Sequence, residues 1–188
     1  MKSSRNDVVY RTLCEEEIAL PLFSDFSRRQ VVNFCLRRTD GVWREEAAPF
    51  VDDWSLEDYR FLAACLRRTI QKGGVVYGAF ADGALKGFVS VEAEPLGKRG
   101  NYRDLTSIHV SEEARRKGIG KKLFLLAKAW AAKQSAEKLY ISSHPAAESQ
   151  AFYLAMGCRD AEEIIAEHVK REPLDRQLEC DVGAEGER

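Results

Sequence analysis

Apolar positions recur along this chain in two rhythms, every second residue and every third or fourth, and these rhythms predict most of its elements. Val8 to Cys14 is β-branched and aromatic, which predicts a strand. The acidic cluster Glu15 to Glu17 then opens a stretch of helical composition broken by Pro21. From Gln30 to Asp53 aromatic residues lie among charges, and the pattern supports only a helix continuing to about Arg38 and then a loop. Ser55 reads as an N-cap, followed by Glu57 and Asp58 in a first turn. Tyr59, Leu62, Ala63, Leu66 and Ile70 then share one helix face that ends at Gly73-Gly74.

Two strands, Val75 to Phe80 and Leu85 to Glu92, flank the turn Ala81-Asp82-Gly83-Ala84, the signature of a hairpin. Pro95 to Gly100 forms the next turn and Asp104 to Val110 another strand. Gly120 to Gln134 places Leu123, Leu126, Ala127, Trp130 and Ala131 on one face and lysines on the others, an amphipathic helix. Leu139 to Ser142 is a short strand, and Ser149 to Met156 a short helix stopped by Gly157. Glu162 to Lys170 and Arg176 to Val182 are expected to be the last two strands. No repeat or linker divides the chain, so the elements form one α/β layer structure over residues 1–183, with a polar tail at 184–188.

With 45% hydrophobic and 31% charged residues, the 188-residue chain can bury a core, and a disordered polyelectrolyte is excluded. Its 29 basic and 30 acidic residues nearly cancel, so neither nucleic acid nor a membrane surface is expected as a partner and any anion site must be local. The five cysteines are scattered, without a CxxC pair, which fits a reducing, cytoplasmic setting. MKSSRNDVVY has no apolar signal core, and no apolar run approaches the roughly 18 residues that span a bilayer.

The chemistry concentrates after the strand ending Ile108-His109-Val110. There Arg115-Arg116-Lys117-Gly118-Ile119-Gly120 leads into the amphipathic helix. A glycine-bearing loop at a helix N-terminus offers unpaired amides at the positive end of the helix dipole, and Lys121 and Lys122 add charge, so an anion site is expected. The loop is not a Walker loop, and Leu123 occupies the third glycine position of a dinucleotide fingerprint.

Arg115-x-x-Gly118-x-Gly120 resembles the acyl-CoA pyrophosphate loop of the GNAT family of N-acetyltransferases. Phe152-Tyr153-Leu154-Ala155-Met156-Gly157 is similar to that family's second motif. The resemblance covers about residues 75 to 160. It implies a mixed central sheet of about six or seven strands flanked by about four helices, in which two splayed parallel strands form the acyl-CoA site. It further implies that the backbone of Ile108 and Val110 pairs with the pantetheine arm. The amides from Arg116 to Lys121 would bind the pyrophosphate, with Arg115, Ser149 and Phe152 completing the acetyl-CoA site. Two positions depart from the pattern: Ala146 stands where the family often has asparagine, and Cys158 where it has phenylalanine.

The implied reaction is direct transfer of acetyl from acetyl-CoA to a primary amine in a ternary complex, without a metal. The alternative is a non-catalytic acyl-CoA sensor on the same fold. The resemblance sets Tyr153 beside the sulfur, where a phenol can protonate the leaving thiolate. An alkylammonium must also lose a proton before attack. Asp104, which period-two alternation puts on the face of Ile108 and Val110, is the first candidate, with Glu92, Glu94, His144 and water as rivals. Cys158 is expected to pack rather than to react. The acceptor pocket is expected from about residues 25 to 60, where Trp43, Phe50, Trp54 and Tyr59 lie near Glu45, Glu46, Asp52 and Asp53, a composition suited to a cationic amine. By family analogy a homodimer would form through the C-terminal strands.

Overall fold

The computed structural model of the chain describes residues 7–183; the polar tail expected at 184–188 lies outside them. β1 (Val9–Thr12) is followed by two one-turn 3-10 helices, Glu15–Glu17 and Leu20–Phe23, in place of the longer helix expected there. Next come β2 (Gln30–Thr39), β3 (Val42–Asp52), α1 (Leu56–Gln71), β4 (Val75–Ala81) and β5 (Ala84–Val91). β6 (Tyr102–Val110), α2 (Ile119–Lys133), β7 (Lys138–Ser143) and α3 (Ala147–Ala155) follow, then β8 (Arg159–Asp160), α4 (Ala166–Arg171) and β9 (Arg176–Asp181).

Seven strands form one sheet in the order β1-β4-β5-β6-β7-β9-β8, antiparallel except for the parallel pair β6 and β7. α2 covers one face, where Leu123, Phe124 and Ala127 pack wholly buried against Val89, Val91, Leu105 and Leu139. α1 covers the other, joining Leu62 and Leu66 to Phe23, Phe26, Val76 and Phe88. Each large apolar side chain so buried contributes about 1.5–3 kcal/mol. α1 starts as its sequence predicts: Asp58 N–H donates to Ser55 Oγ (3.3 Å), and Ser55 N–H donates back to the Asp58 carboxylate (2.7 Å).

Two further expectations are corrected. The residues expected to continue a helix to Arg38 are strand β2, which pairs with β3 in a separate two-stranded sheet. Val31, Val32, Phe34 and Cys35 favour a pleated surface, and Asp40 and Gly41, at φ 51° and 78°, close a tight hairpin. The strand expected over Glu162 to Lys170 is instead a loop followed by α4, whose last turn carries His168, Lys170 and Arg171, cations favoured at a helix C-terminus. β8 takes the sheet edge in its place.

The feature that positions the site is the parallel pair. β6 and β7 are in register only at Tyr102, Arg103 and Asp104, opposite Lys138, Leu139 and Tyr140. Beyond Asp104 the two strands part, β6 following β5 and β7 following β9, which leaves a wedge between them.

Candidate active site

At the top of the wedge, α2 begins beside Val110. Arg115 folds back so that its Nε donates to the Val110 carbonyl (3.1 Å) and its Nη2 to the Arg29 carbonyl (2.7 Å). It therefore pins the loop rather than extending into solvent. Lys117 Nζ donates to the Glu113 carbonyl (2.9 Å), while Arg116 remains exposed at φ 61°. Gly118 is the N-cap at φ 82°, a conformation in which a side chain is strained. The helical hydrogen bonds begin with Lys122 N–H to the Gly118 carbonyl (3.1 Å), so the amides of Gly118, Ile119, Gly120 and Lys121 have no intrahelical acceptor. Successive free amides at a dipole's positive end can hold an oxyanion. Ile119 takes part only through its backbone, since its side chain is in the core.

Gly120 brings three elements together: a Cβ there would lie 3.3 Å from the Phe152 ring and 3.6 Å from Val110 Cγ2. α3 thus runs beside the start of α2, with Ser149 half-buried near its N-terminus. Tyr153 is buried in the main core, its ring 5.3 Å from that of Phe152 and 6.2 Å from that of Phe124. Burial first, and the neighbouring Cys158 and Asp175 second, raise its phenol above the ordinary value. It stays protonated at neutral pH, as a proton donor must.

Asp104 does not share a face with Ile108 and Val110. Ser90 pairs with Ser107 but Val91 with Leu105, so Thr106 is an extra residue in β6 and the alternation shifts by one. Leu105, Ile108 and Val110 face α2, whereas Asp104 and His109 face the other side. There Asp104 Oδ2 lies 2.9 Å from His168 Nε2, and its Oδ1 is buried without a partner. Of its rivals, Glu92 accepts the Thr69 hydroxyl (2.6 Å) and Glu94 is exposed in the turn after β5. His144 accepts the Ala146 N–H at Nδ1 (3.1 Å).

The region expected to hold the acceptor is divided. Asp52, Trp54 and Tyr59 gather around Arg28, which sequence reasoning did not single out, while the Phe50 ring lies 6.0 Å from that of His144. The Arg28 guanidinium pairs with Asp52 (3.0 Å), donates to Gln30 Oε1 (3.2 Å) and to His109 Nδ1 (3.0 Å), and stacks on Trp54. Asp52 therefore already has a cationic partner within the chain. Trp43 instead stacks on Arg176, 4.6 Å away, and Glu45 and Glu46 are exposed on the hairpin. Cys158 is buried, and the neighbouring Cys180 together with burial pushes its thiol up, away from a reactive thiolate. Among the described residues, no group of three or more histidine, cysteine or acidic side chains could hold a metal ion. No helix among them is long and apolar enough to cross a membrane.

The model of the acetyltransferase (GNAT) family matches residues 39–158. No curated protein sequence matches the chain. Among solved structures, a nourseothricin acetyltransferase superposes with a TM-score of 0.70 at 18% identity, covering 94% of this chain and 99% of that one. A Bacillus anthracis protein assigned as a streptothricin acetyltransferase, in complex with acetyl coenzyme A, gives 0.68 at 17% identity, covering 92% and 96%. The PaiA N-acetyltransferase of Thermoplasma acidophilum, in complex with coenzyme A, gives 0.59 at 17%, covering 93% and 99%.

Proposed function

The chain belongs to the acetyltransferase (GNAT) family, and on that premise we propose that it moves the acetyl group of acetyl-CoA directly to a primary amine of a small molecule or peptide. The observation that carries this reading is the wedge: β6 and β7 part after Asp104, beneath the unpaired amides that open α2. An extended pantetheine arm can add to β6 there as a strand would, through the backbone of Ile108 and Val110. Its pyrophosphate then reaches the amides of Gly118 to Lys121, with Arg116 and Lys117 supplying charge. Phe152 and Ser149 line the side formed by α3.

Tyr153 is the acid that protonates the thiolate as the C–S bond breaks. The acceptor approaches from the face that carries Asp104, and Asp104 serves the removal of the amine's proton. Cys158, buried and protonated, takes no acetyl group, so transfer occurs in a ternary complex.

The test is thiol release from acetyl-CoA against polyamines, aminoglycosides, amino acids and lysine peptides. Nourseothricin and a streptothricin are added because one neighbour in fold carries each name. Tyr153→Phe is expected to lower amine-dependent turnover at least about tenfold while acetyl-CoA affinity holds. Equal turnover in the variant removes Tyr153 from the mechanism.

A further inference from the structure

We propose that His168 is the general base of the transfer and that Asp104 is the carboxylate that orients it. His168 has this role only if the chain transfers acetyl groups, so the role rests on the function proposed above.

The chain has three histidines. A neutral imidazole can take a proton only at the nitrogen that carries none, and the hydrogen bond at the other nitrogen decides which that is. His109 accepts Arg28 Nε–H at Nδ1 (3.0 Å), so its own proton sits on Nε2 and its lone pair is already engaged by a cation. His144 is in the same state, with Nδ1 accepting the Ala146 N–H (3.1 Å). Neither can accept a proton from an amine without first giving up that bond. His168 is the reverse case. Its Nε2 faces Asp104 Oδ2 at 2.9 Å, which places the proton on Nε2 and leaves Nδ1 with a lone pair and no partner among the described residues.

The position agrees with the chemistry. α4 lies against the sheet so that the His168 ring rests 5.3 Å from that of Tyr140, tilted by 30°. Tyr140 is the residue opposite Asp104 in the last rung before β6 and β7 part. The pair thus stands at the vertex of the wedge, on the face away from α2. Both side chains are mostly buried, at 12% and 14% exposure, so a bound acceptor would shield them from bulk water. The groups against the ring are Asp104 from β6 and Tyr140 from β7, and the charge of Asp175, in the turn before β9, is felt there as well. The Tyr140 hydroxyl is occupied, donating to Gln177 Oε1 (2.9 Å) and accepting the Ile165 N–H (3.0 Å). A carboxylate on the far nitrogen fixes the tautomer and stabilises the imidazolium, as in any such dyad.

The step balances. The alkylammonium gives one proton to His168 Nδ1, the neutral amine forms the N–C bond, and the C–S bond breaks as Tyr153 protonates the thiolate. The second proton of the attacking nitrogen restores the phenol, and the imidazolium releases its proton to solvent.

His168→Gln keeps an N–H for Asp104 and removes the basic nitrogen. In the full chain we expect kcat for the amine found above to fall at least about 100-fold, with acetyl-CoA affinity by calorimetry unchanged within about twofold. His168→Ala should regain part of its activity when imidazole is added, a readout that a purely structural ion pair would not move. Asp104→Asn, which can offer its amide N–H to Nε2 and drive the ring proton to Nδ1, should lose kcat comparably. A glutamine variant within about threefold of wild type overturns the assignment. So does an alanine variant that folds, binds acetyl-CoA and ignores imidazole. A wild type that binds acetyl-CoA but acetylates no amine overturns the acetyl-transfer reading instead, and the base with it.

Discussion

His109 lies with its imidazole between the rings of Trp54 and Phe88, and burial, then Arg28 and Arg115, hold its pKa well below the ordinary value. The unfolded chain exposes an imidazole that binds a proton near pH 6.5, whereas the folded one does not. Below that pH the unfolded state binds more protons, so stability is present above about pH 6.5 and is lost as the pH falls. His144, lowered chiefly by burial, adds in the same direction. Denaturant midpoints should therefore drop between about pH 7.5 and 5.5, and the slope should be shallower in His109→Gln. Equal slopes would contradict the buried, neutral ring. At this scale legibility followed locality. The loop from Arg115 to Gly120 is contiguous, so its glycines announced a free helix N-terminus. The face of Asp104 was misread because one extra residue, Thr106, inverts the alternation, and no side-chain pattern marks where a bulge will fall. Arg28 meets His109 across 81 positions, a distance over which sequence spacing carries no signal.

The first turns of α2 approach β5 closely because Gly87 has no side chain beneath them. A Cβ on Gly87 would stand 2.8 Å from Ile119 Cγ2 and 2.9 Å from Leu123 Cδ1, both in the packed core. Gly87→Ala should cost about 1–3 kcal/mol by denaturant titration, since such cores do not yield freely. It should also weaken acetyl-CoA binding, because the shifted residues include the start of α2. Unchanged affinity would mean that the helix tilts about its first turn without moving the amides. The elements that were legible, such as α1 and α2, bury one apolar stripe, and their starts are marked in the sequence by Ser55 and by Gly118. The hairpin of β2 and β3 was missed because it stands outside the main sheet and buries little beyond Val32, Cys35 and Ala48, so its alternation is blurred by exposed Phe34, Val42 and Val51. Its turn, Asp40-Gly41, was the available signal. α4 has six residues, none of them fully buried, and only its helix-favouring Ala, Glu, Lys and Arg distinguish it from a strand.

For the molecule as a whole, the wedge is a relation between strands separated by a helix, and it follows from topology rather than from any local pattern. Family likeness pointed to it, and the register of β6 against β7 locates its vertex at Asp104 and Tyr140. If acetyl-CoA occupies this opening, a concentration about 100 times its Kd should stabilise the fold by about 2.7 kcal/mol, seen as a shift in the denaturant midpoint. Gly118→Val, strained at φ 82° beside the amides, should reduce that shift. The measurement that tests the account most directly is mass spectrometry of the complete reaction: chain, acetyl-CoA and the amine panel, with free thiol followed in parallel. The account predicts an acetylated amine and free thiol in equal amounts, and no acetyl group left on the protein. Acetyl-CoA that binds while every amine stays unmodified would contradict it and leave a sensor of acyl-CoA in its place.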